Sequence, residues 1–334
     1  MRIIQVGVGG FGRGWTDIVA ESPELEAVAY VDIDPVALRE QGNKHGMPPA
    51  RRFTDAAEAF RAVKAEAALI VTPPDSHRAI AEAAFKAGLH VLTEKPLAAK
   101  WTDCTAMVRA AKRAGKTLMV SQNYRYREAP RTIRSMIVEG AIGQVGYAQV
   151  SFHKAPKFPH SFRLKMDYPL LVDMSIHHFD LMRYLLGVNP VSVTCHSFRP
   201  KWSWFKHEPA CQARFSMTKG IEVDYFGSWV SEGAETSWDG DWRIQGERGC
   251  ILWSQGEIRI AGPGEEPRAV TITPLPRQDR ALALAEFYSA VTEGRPPETS
   301  GSDNLHSIGM VFAALDSART GRPKPMPQMP KPRK

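Results

Sequence analysis

The chain has 334 residues, 43% hydrophobic and 24% charged, an ordinary globular composition with length enough for two cores. Its net charge of +7 gathers at the end: the last 14 residues, GRPKPMPQMPKPRK, hold five Lys or Arg, five Pro and no acid, leaving +2 on the other 320. This argues against a folded nucleic-acid-binding face; no apolar run reaches membrane-span length, and Cys104, Cys195, Cys211 and Cys250 form neither a CxxC pair nor a cluster, against a disulfide framework or structural zinc.

The chain opens directly on a strand, MRIIQVGVGG, with no signal-peptide pattern, so a cytoplasmic location is expected. Over residues 1–122 the runs RIIQVG, LEAVAYVD, AALIVT, HVLT and TLMVS alternate with helical stretches such as HRAIAEAAFKAG and CTAMVRAAKRAG. The strand runs are continuously apolar, as parallel strands covered on both faces are. An α/β doubly wound parallel sheet is expected, with ligands beyond the carboxyl ends of its strands.

VGVGGFGRG places Gly7, Gly9 and Gly12 in GxGxxG spacing between a strand and a helix, with Gly10 and Phe11 at the helix start. Gly7 suits a tight turn, Gly9 a close approach by a pyrophosphate, and Gly12 close packing of helix on strand. Asp32 follows twenty residues after Gly12, at the end of the second strand, where a carboxylate meets the adenosine ribose. A carboxylate there repels a 2′-phosphate, and the adjacent Ile33 offers no cation, so NAD is expected in preference to NADP. The competing reading of Asp32, a cap for the helix near Pro35, does not account for the glycines.

From about residue 143 the pattern becomes that of antiparallel strands with one wet face: GQVGYAQVSFH, PVSVTCHSF, ACQARFSM, IEVDYFGSWV and WRIQGERGCILW. One helix, YPLLVDMSIHHFDLMRYLLG, interrupts them, and two more lie near ALALAEFYSAVTEG and LHSIGMVFAALDSARTG. The expected division is a nucleotide-binding domain over 1–122, an α+β substrate-binding and oligomerisation domain over 123–321, and a Pro/Lys-rich extended tail over 322–334. Six of the eight Trp fall in the second half, and an open sheet face carrying several of them would make a homodimer or homotetramer surface.

In the interrupting helix Asp173 and His177 are an i,i+4 pair, with Asp180 a further turn along. On the helix alone, a stabilising pair or a packed core histidine serves as well as a site. His178 and Asp180 lack a further cluster to complete a metal site, so no metal is expected.

Taken together, VGVGGFGRG, VTPPDSHRAIAEAAFKAGLHVLTEKPLA, DMSIHHFDLMRYLLG, SAVTEGRPP and FAALDSARTGRP resemble the glucose–fructose oxidoreductase / inositol dehydrogenase / MocA (Gfo/Idh/MocA) family over essentially the whole chain. The resemblance implies a Rossmann domain followed by a domain on a largely antiparallel open sheet, and a catalytic set at Lys95, Asp173 and His177. It also implies a Lys95–Pro96 bond that is often cis. Ser175 stands where many members have Gly and is expected to narrow the space under the substrate. On this reading Lys95 holds the substrate hydroxyl, His177 accepts its proton, and Asp173 orients His177 or binds a second hydroxyl. Glu94 positions Lys95 or the cofactor ribose, while Thr72, Pro73, His77, Gln122 and Asn123 line the cofactor. Tyr124, Arg125, His153, Lys154, Arg163 and Tyr168 join Asp173 and His177 on the substrate side. The expected activity is NAD-dependent oxidation of a secondary alcohol of a sugar, polyol or glycoside. Its alternatives are an NAD-dependent glycosidase working by transient oxidation and a non-catalytic dinucleotide sensor.

Overall fold

In the computed structural model, which describes residues 1–330, apolar runs and helices alternate from the first residues. They are β1 (Arg2–Val6), α1 (Gly12–Ala20), β2 (Glu26–Val31), α2 (Pro35–Lys44), β3 (Arg52–Phe53), α3 (Ala56–Ala62), β4 (Ala67–Ile70), α4 (Pro74–Lys86), β5 (His90–Thr93), α5 (Trp101–Ala114) and β6 (Leu118–Val120). Among the described residues the strands form one parallel sheet in the order β3-β2-β1-β4-β5-β6. All four residues of β4 are fully buried, as the unbroken apolar runs require of a sheet covered on both faces. The order reverses between β1 and β4, so the crevice for a ligand lies beyond their carboxyl ends. The two-residue β3 is too short to leave a mark in the sequence pattern.

The later chain forms α6 (Glu128–Val138), β7 (Val145–His153), a π-helical turn (Leu170–Met174), α7 (Ser175–Leu186), β8 (Pro190–Phe198), β9 (Ala210–Met217), β10 (Glu222–Ser228), β11 (Asp241–Gly246), β12 (Gly249–Ser254), β13 (Glu257–Ala261), β14 (Arg268–Val270), α8 (Asp279–Glu293), α9 (Gly301–Thr320) and β15 (Lys324–Pro325). The described strands make a sheet in the order β14-β13-β12-β11-β7-β10-β9-β8-β15. Its β7–β10 pair is parallel and its other neighbouring pairs are antiparallel. WRIQGERGCILW, expected as one segment, is the β11–β12 hairpin, turning at Gly246–Gly249.

Four expectations are corrected. The chain divides into two compact units, and the first comprises Met1–Asn123 together with Arg277–Leu305. The returning segment closes β6, a three-residue edge strand: Val120 N–H donates to Thr299 O at 2.9 Å, and Thr299 Oγ1 donates to Val120 O at 2.7 Å. The second unit holds Tyr124–Pro276 and His306–Gln328. The tail is not separate from the second domain, because β15 pairs with the edge of β8. The helix expected from Tyr168 onward begins as the π-helical turn, so Asp173 and His177 do not share one uniform α-helical face. Finally, Trp242 and Trp253 of the open sheet are buried, stacked at 6.0 Å, while the same sheet presents Gln149, Gln212, Arg214, Asp224 and Arg243 outward. That face carries these polar side chains beside exposed Tyr147 and Val191, and alternation along β11 and β12 turns the two Trp inward.

Candidate functional site

The candidate nucleotide site begins at the loop between β1 and α1. Gly7 has φ +91°, and a Cβ on it would lie 2.4 Å from Val71 O; a Cβ on Gly12 would lie 2.3 Å from Gly7 O. Neither position admits a side chain, and the turn and the helix packing expected of them are both present. Gln5 donates from Nε2 to Gly7 O at 3.0 Å and Gly12 O at 2.9 Å, clasping the two ends of the loop from below. Phe11, just before α1, is exposed, and the first turn of α1 has neither a side-chain cap nor an acid. Such a turn offers backbone N–H groups and a positive helix end to an anion.

Asp32 stands at the end of β2 as expected. Its Oδ2 accepts the N–H of Val8 and of Gly9, each at 2.8 Å, and Oδ1 accepts the N–H of Asp34 at 3.0 Å. The cap of α2 is Asp34, which accepts from Val36 N. Asp32 is thereby fixed against the glycine loop with lone pairs remaining for a hydroxyl donor. Ile33 beside it is 90% exposed.

Beyond β4, Thr72 accepts from Ser76 Oγ at 2.7 Å, and exposed Pro73 leads into α4. His77 is a correction: it is fully buried, with both ring nitrogens engaged within the chain. Its Nε2 meets Thr72 O at 2.8 Å and its Nδ1 meets Thr93 Oγ1 and Leu97 O at 3.2 Å, so it ties the β4 end to the turn after β5. Burial lowers its pKa, keeping the ring neutral in that role.

At the end of β5 comes Glu94, buried, then half-buried Lys95 and a cis Lys95–Pro96 bond. Glu94 Oε1 accepts the indole N–H of Trp15 at 2.8 Å, and Oε2 accepts the backbone N–H of Lys95 at 2.9 Å. Burial raises the Glu94 pKa, against the pull of Lys95, the Trp15 N–H and Arg280. Glu94 thus holds the backbone at Lys95. At the end of β6, Gln122 is 1% exposed and neither atom of its amide has a partner in the described chain. Asn123 donates to Asp279.

A buried orphan amide, a loop whose Gly7 and Gly12 admit no Cβ and an uncapped helix start are features that a dinucleotide completes. The residues therefore fit NAD. Gly7–Gly12 suit its diphosphate, Asp32 its adenosine ribose, and Gln122 a polar group at the sheet end.

The second unit holds the remaining residues expected at a site. His177 is largely buried and its ring stacks on Tyr124 at 4.1 Å and 17°, while the Arg127 guanidinium lies 3.5 Å from the centre of the Tyr124 ring. Arg127 is itself held by Asp239. Tyr124, expected on the substrate side, is thus the ring against which His177 packs. Asp173 pairs through Oδ2 with Arg163 Nε at 2.5 Å, and Arg163 also lies over the Phe158 and Phe162 rings.

Arg125 is corrected: 4% exposed, it forks onto Asp180 with two 2.6 Å contacts, and Asp180 also accepts from Ser307. A guanidinium with this buried commitment supports α7 and does not reach a substrate. Ser175 is also corrected: it is fully buried, with its hydroxyl 3.1 Å from Tyr225 of β10, and does not crowd a substrate. The same Tyr225 hydroxyl meets His178 Nδ1 at 3.1 Å, and His178 Nε2 donates to Trp238 O at 3.0 Å. His153 sits partly buried, stacked on Phe226 with Nδ1 3.3 Å from Ser231 Oγ. Lys154 pairs with Glu235 at 3.0 Å. Tyr168, at φ +49°, precedes the π-helical turn, and the Arg319 guanidinium lies 5.6 Å from the centre of its ring. Among the described residues no group of three or more His, Cys, Asp or Glu could hold a metal ion.

Two supporting residues escaped the sequence reading. Gln5 is a lone polar residue in a buried apolar strand, and Trp15 is a large aromatic one turn after the glycines; either oddity was a signal.

The family model described as an oxidoreductase family with an NAD-binding Rossmann fold matches residues 1–122, and that of the GFO/IDH/MocA C-terminal domain matches residues 130–252. An inositol 2-dehydrogenase of Rhizobium meliloti is 31% identical, the match covering 96% of this chain and 98% of its own. A D-apiose dehydrogenase of Paraburkholderia graminis is 28% identical over 95% of this chain and 87% of its own. An oxidoreductase from Agrobacterium radiobacter, solved in complex with NAD+, L-tartaric acid and magnesium, shares the fold at a TM-score of 0.89 and 24% identity, covering 97% of this chain and 98% of its own. With both domains matched in order along the chain, the protein belongs to the Gfo/Idh/MocA oxidoreductase family, and its first domain is an NAD-binding Rossmann domain.

Proposed function

We propose that the protein oxidises a secondary alcohol of a sugar, polyol or glycoside, with NAD as the hydride acceptor and Lys95, Asp173 and His177 as the catalytic set. The observation that carries the reading is Lys95 at the carboxyl end of β5, its backbone fixed by Glu94. Strand ends of this sheet are where its ligands bind, and a lysine at such an end is placed for chemistry on a bound ligand. When bound, NAD supplies the acceptor for the hydride leaving the carbinol carbon. Lys95 holds the hydroxyl oxygen and stabilises the negative charge that develops on it. His177, kept in place by the Tyr124 stack, takes the hydroxyl proton. Asp173, held by Arg163, orients the reacting sugar through a second hydroxyl or sets the His177 ring. His153 and Tyr168 are assigned to the substrate side. The inositol and D-apiose dehydrogenases among the relatives support a polyol or sugar as the substrate class.

The test is a panel of polyols, free sugars and nitrophenyl glycosides with NAD, following NADH absorbance and released nitrophenol together. NADH formation with a polyol or sugar supports the reading. Nitrophenol release without net NADH would replace it with redox-assisted glycoside cleavage, and binding of NAD without turnover of any class would replace it with a sensor.

A further inference from the structure

We infer that Arg280 is a further cofactor-binding residue, its guanidinium clamping the diphosphate of the dinucleotide at the start of α1. The inference rests on the NAD reading and adds to it a cation that the glycine motif does not contain. Arg280 lies at the start of α8, in the segment that returns to the first unit, so linear spacing gives no hint of it.

Three observations converge on this residue. The guanidinium lies against the nucleotide loop, 4.9 Å from the centre of the Phe11 ring and 5.6 Å from that of Trp15. Two aromatic faces hold a planar cation in place without satisfying its N–H donors. One of those donors, on Nη1, is buried and has no hydrogen-bond partner in the described chain. The carboxylate of Glu94 is near enough to feel the Arg280 charge but makes no hydrogen bond with Nη1. Buried guanidinium donors are ordinarily paired, so this one points to an acceptor from outside the chain.

The third observation is Gly14. A glycine inside a helix is unfavourable relative to alanine, yet the first turn of α1 has Gly14 besides Gly12. A Cβ there would stand 3.1 Å from Arg280 Nη1 and 3.4 Å from Nη2, tighter than ordinary contact. The gap left by Gly14 admits the guanidinium to the helix start. The loop's own cation, Arg13, is turned away and paired with Glu40 at 2.8 Å. Arg280 therefore faces an uncapped, acid-free helix start, where the ligand chemistry that suits both is a diphosphate: two adjacent anionic groups, one for backbone N–H groups and one for the fork of an arginine. Immediately before Arg280, Asp279 adopts a left-handed φ of +59° and accepts from Asn123, which fixes where the arginine leaves the backbone.

The test measures binding directly. Wild type, R280A and R280K are titrated with NADH by fluorescence, and with ADP-ribose and adenosine by calorimetry. R280A should weaken NADH and ADP-ribose about tenfold or more, leave adenosine unchanged, and be partly rescued in R280K, which restores charge without the fork. The loss should shrink as salt rises, as a charge-assisted contact requires. Should R280A melt well below wild type, Arg280→Gln, which keeps a stem and a donor without the charge, carries the same comparison. Equal ADP-ribose affinity in R280A and wild type overturns the assignment, and so does a loss that extends equally to adenosine. Failure of the wild-type protein itself to bind NADH would instead overturn the NAD reading.

Discussion

Trp15 donates its indole N–H to Glu94 at 2.8 Å across 79 residues of sequence, and the other Glu94 oxygen accepts the backbone N–H of Lys95. One buried carboxylate thereby joins the helix that carries the nucleotide loop to the strand end that carries the proposed catalytic lysine. Trp15→Phe removes the indole donor while keeping an aromatic ring. It should lower stability by about 1–3 kcal/mol, because the buried carboxylate loses a partner. It should also lower kcat more than it raises the KM for NAD, since the displaced group is the lysine's anchor. Thermal melts and steady-state kinetics check both, and an unchanged kcat would remove Glu94 from the positioning role.

Lys95→Ala and His177→Ala should each lose about 10²-fold or more in turnover while retaining NADH binding, as groups that handle the hydroxyl and its proton should. Tyr124→Leu should fall between these variants and wild type, because it removes the ring against which His177 stacks. Turnover within about threefold of wild type in either alanine variant would sink the catalytic assignment.

His178 provides a pH dependence. Burial lowers its pKa from 6.5 to about 4, so the native state keeps it neutral where the unfolded chain protonates it. Between these values the unfolded state binds more protons, and its share of stability is lost as pH falls from 6.5 towards 4. The full loss is about 3 kcal/mol. Urea melts across this range should show the slope in wild type and a flatter one in His178→Gln; equal slopes would show that other groups carry it.

The edge of the second sheet makes a different demand. Lys324 and Pro325 pair with Val193 and Ser192, Met326 N–H donates to Val191 O at 3.0 Å, and Ser317 Oγ accepts from Cys195 N while donating to Arg322 O. Removing residues 327–334 should leave the melting temperature unchanged. Removing 322–334 uncovers the β8 edge and should lower it by several degrees, at about 2–4 °C per kcal/mol, with room-temperature turnover retained. Identical melting of the two truncations would show that the pairing carries no stability.

What the sequence disclosed and what it withheld divide along a physical line. Gly7, Gly12 and Asp32 were legible because steric exclusion and charge act at fixed spacing within one strand–turn–helix unit. The strand end before Lys95 was legible from its apolar run and the proline behind it, while a role for Lys95 came only from the family resemblance. Arg125 and His77 were misread, since a charged or titratable residue near a motif looks the same in sequence whether it faces a ligand or a buried partner such as Asp180 or Thr72 O. The return of Arg277–Leu305 to the first unit was invisible because the edge it covers, β6, lies far away along the chain. The π-helical turn before α7 was hidden because its apolar pattern continues that of the helix.

The cofactor preference can be argued from contacts that spacing alone could not supply. Asp32 is locked by the N–H groups of Val8, Gly9 and Asp34, so it cannot swing away from an incoming 2′-phosphate. A like charge at contact costs a few kcal/mol, on the order of 4 at an effective dielectric near 20. The nearest candidates for a compensating cation are engaged elsewhere. Arg52 donates to Met47 O and Asn43 Oδ1, and Arg51 borders a pocket with Arg2 and Glu26, at the amino ends of β1 and β2. Ile33, 90% exposed at the right position, carries no charge. Catalytic efficiency should therefore favour NAD over NADP by at least about tenfold. Replacing Asp32 with Ser and Ile33 with Arg should narrow or reverse that preference, with Val8 and Gly9 losing a charged acceptor and the loop some rigidity. Measuring kcat/KM with both cofactors for both proteins decides the matter, and equal efficiencies in the wild-type protein would overturn the role given to Asp32.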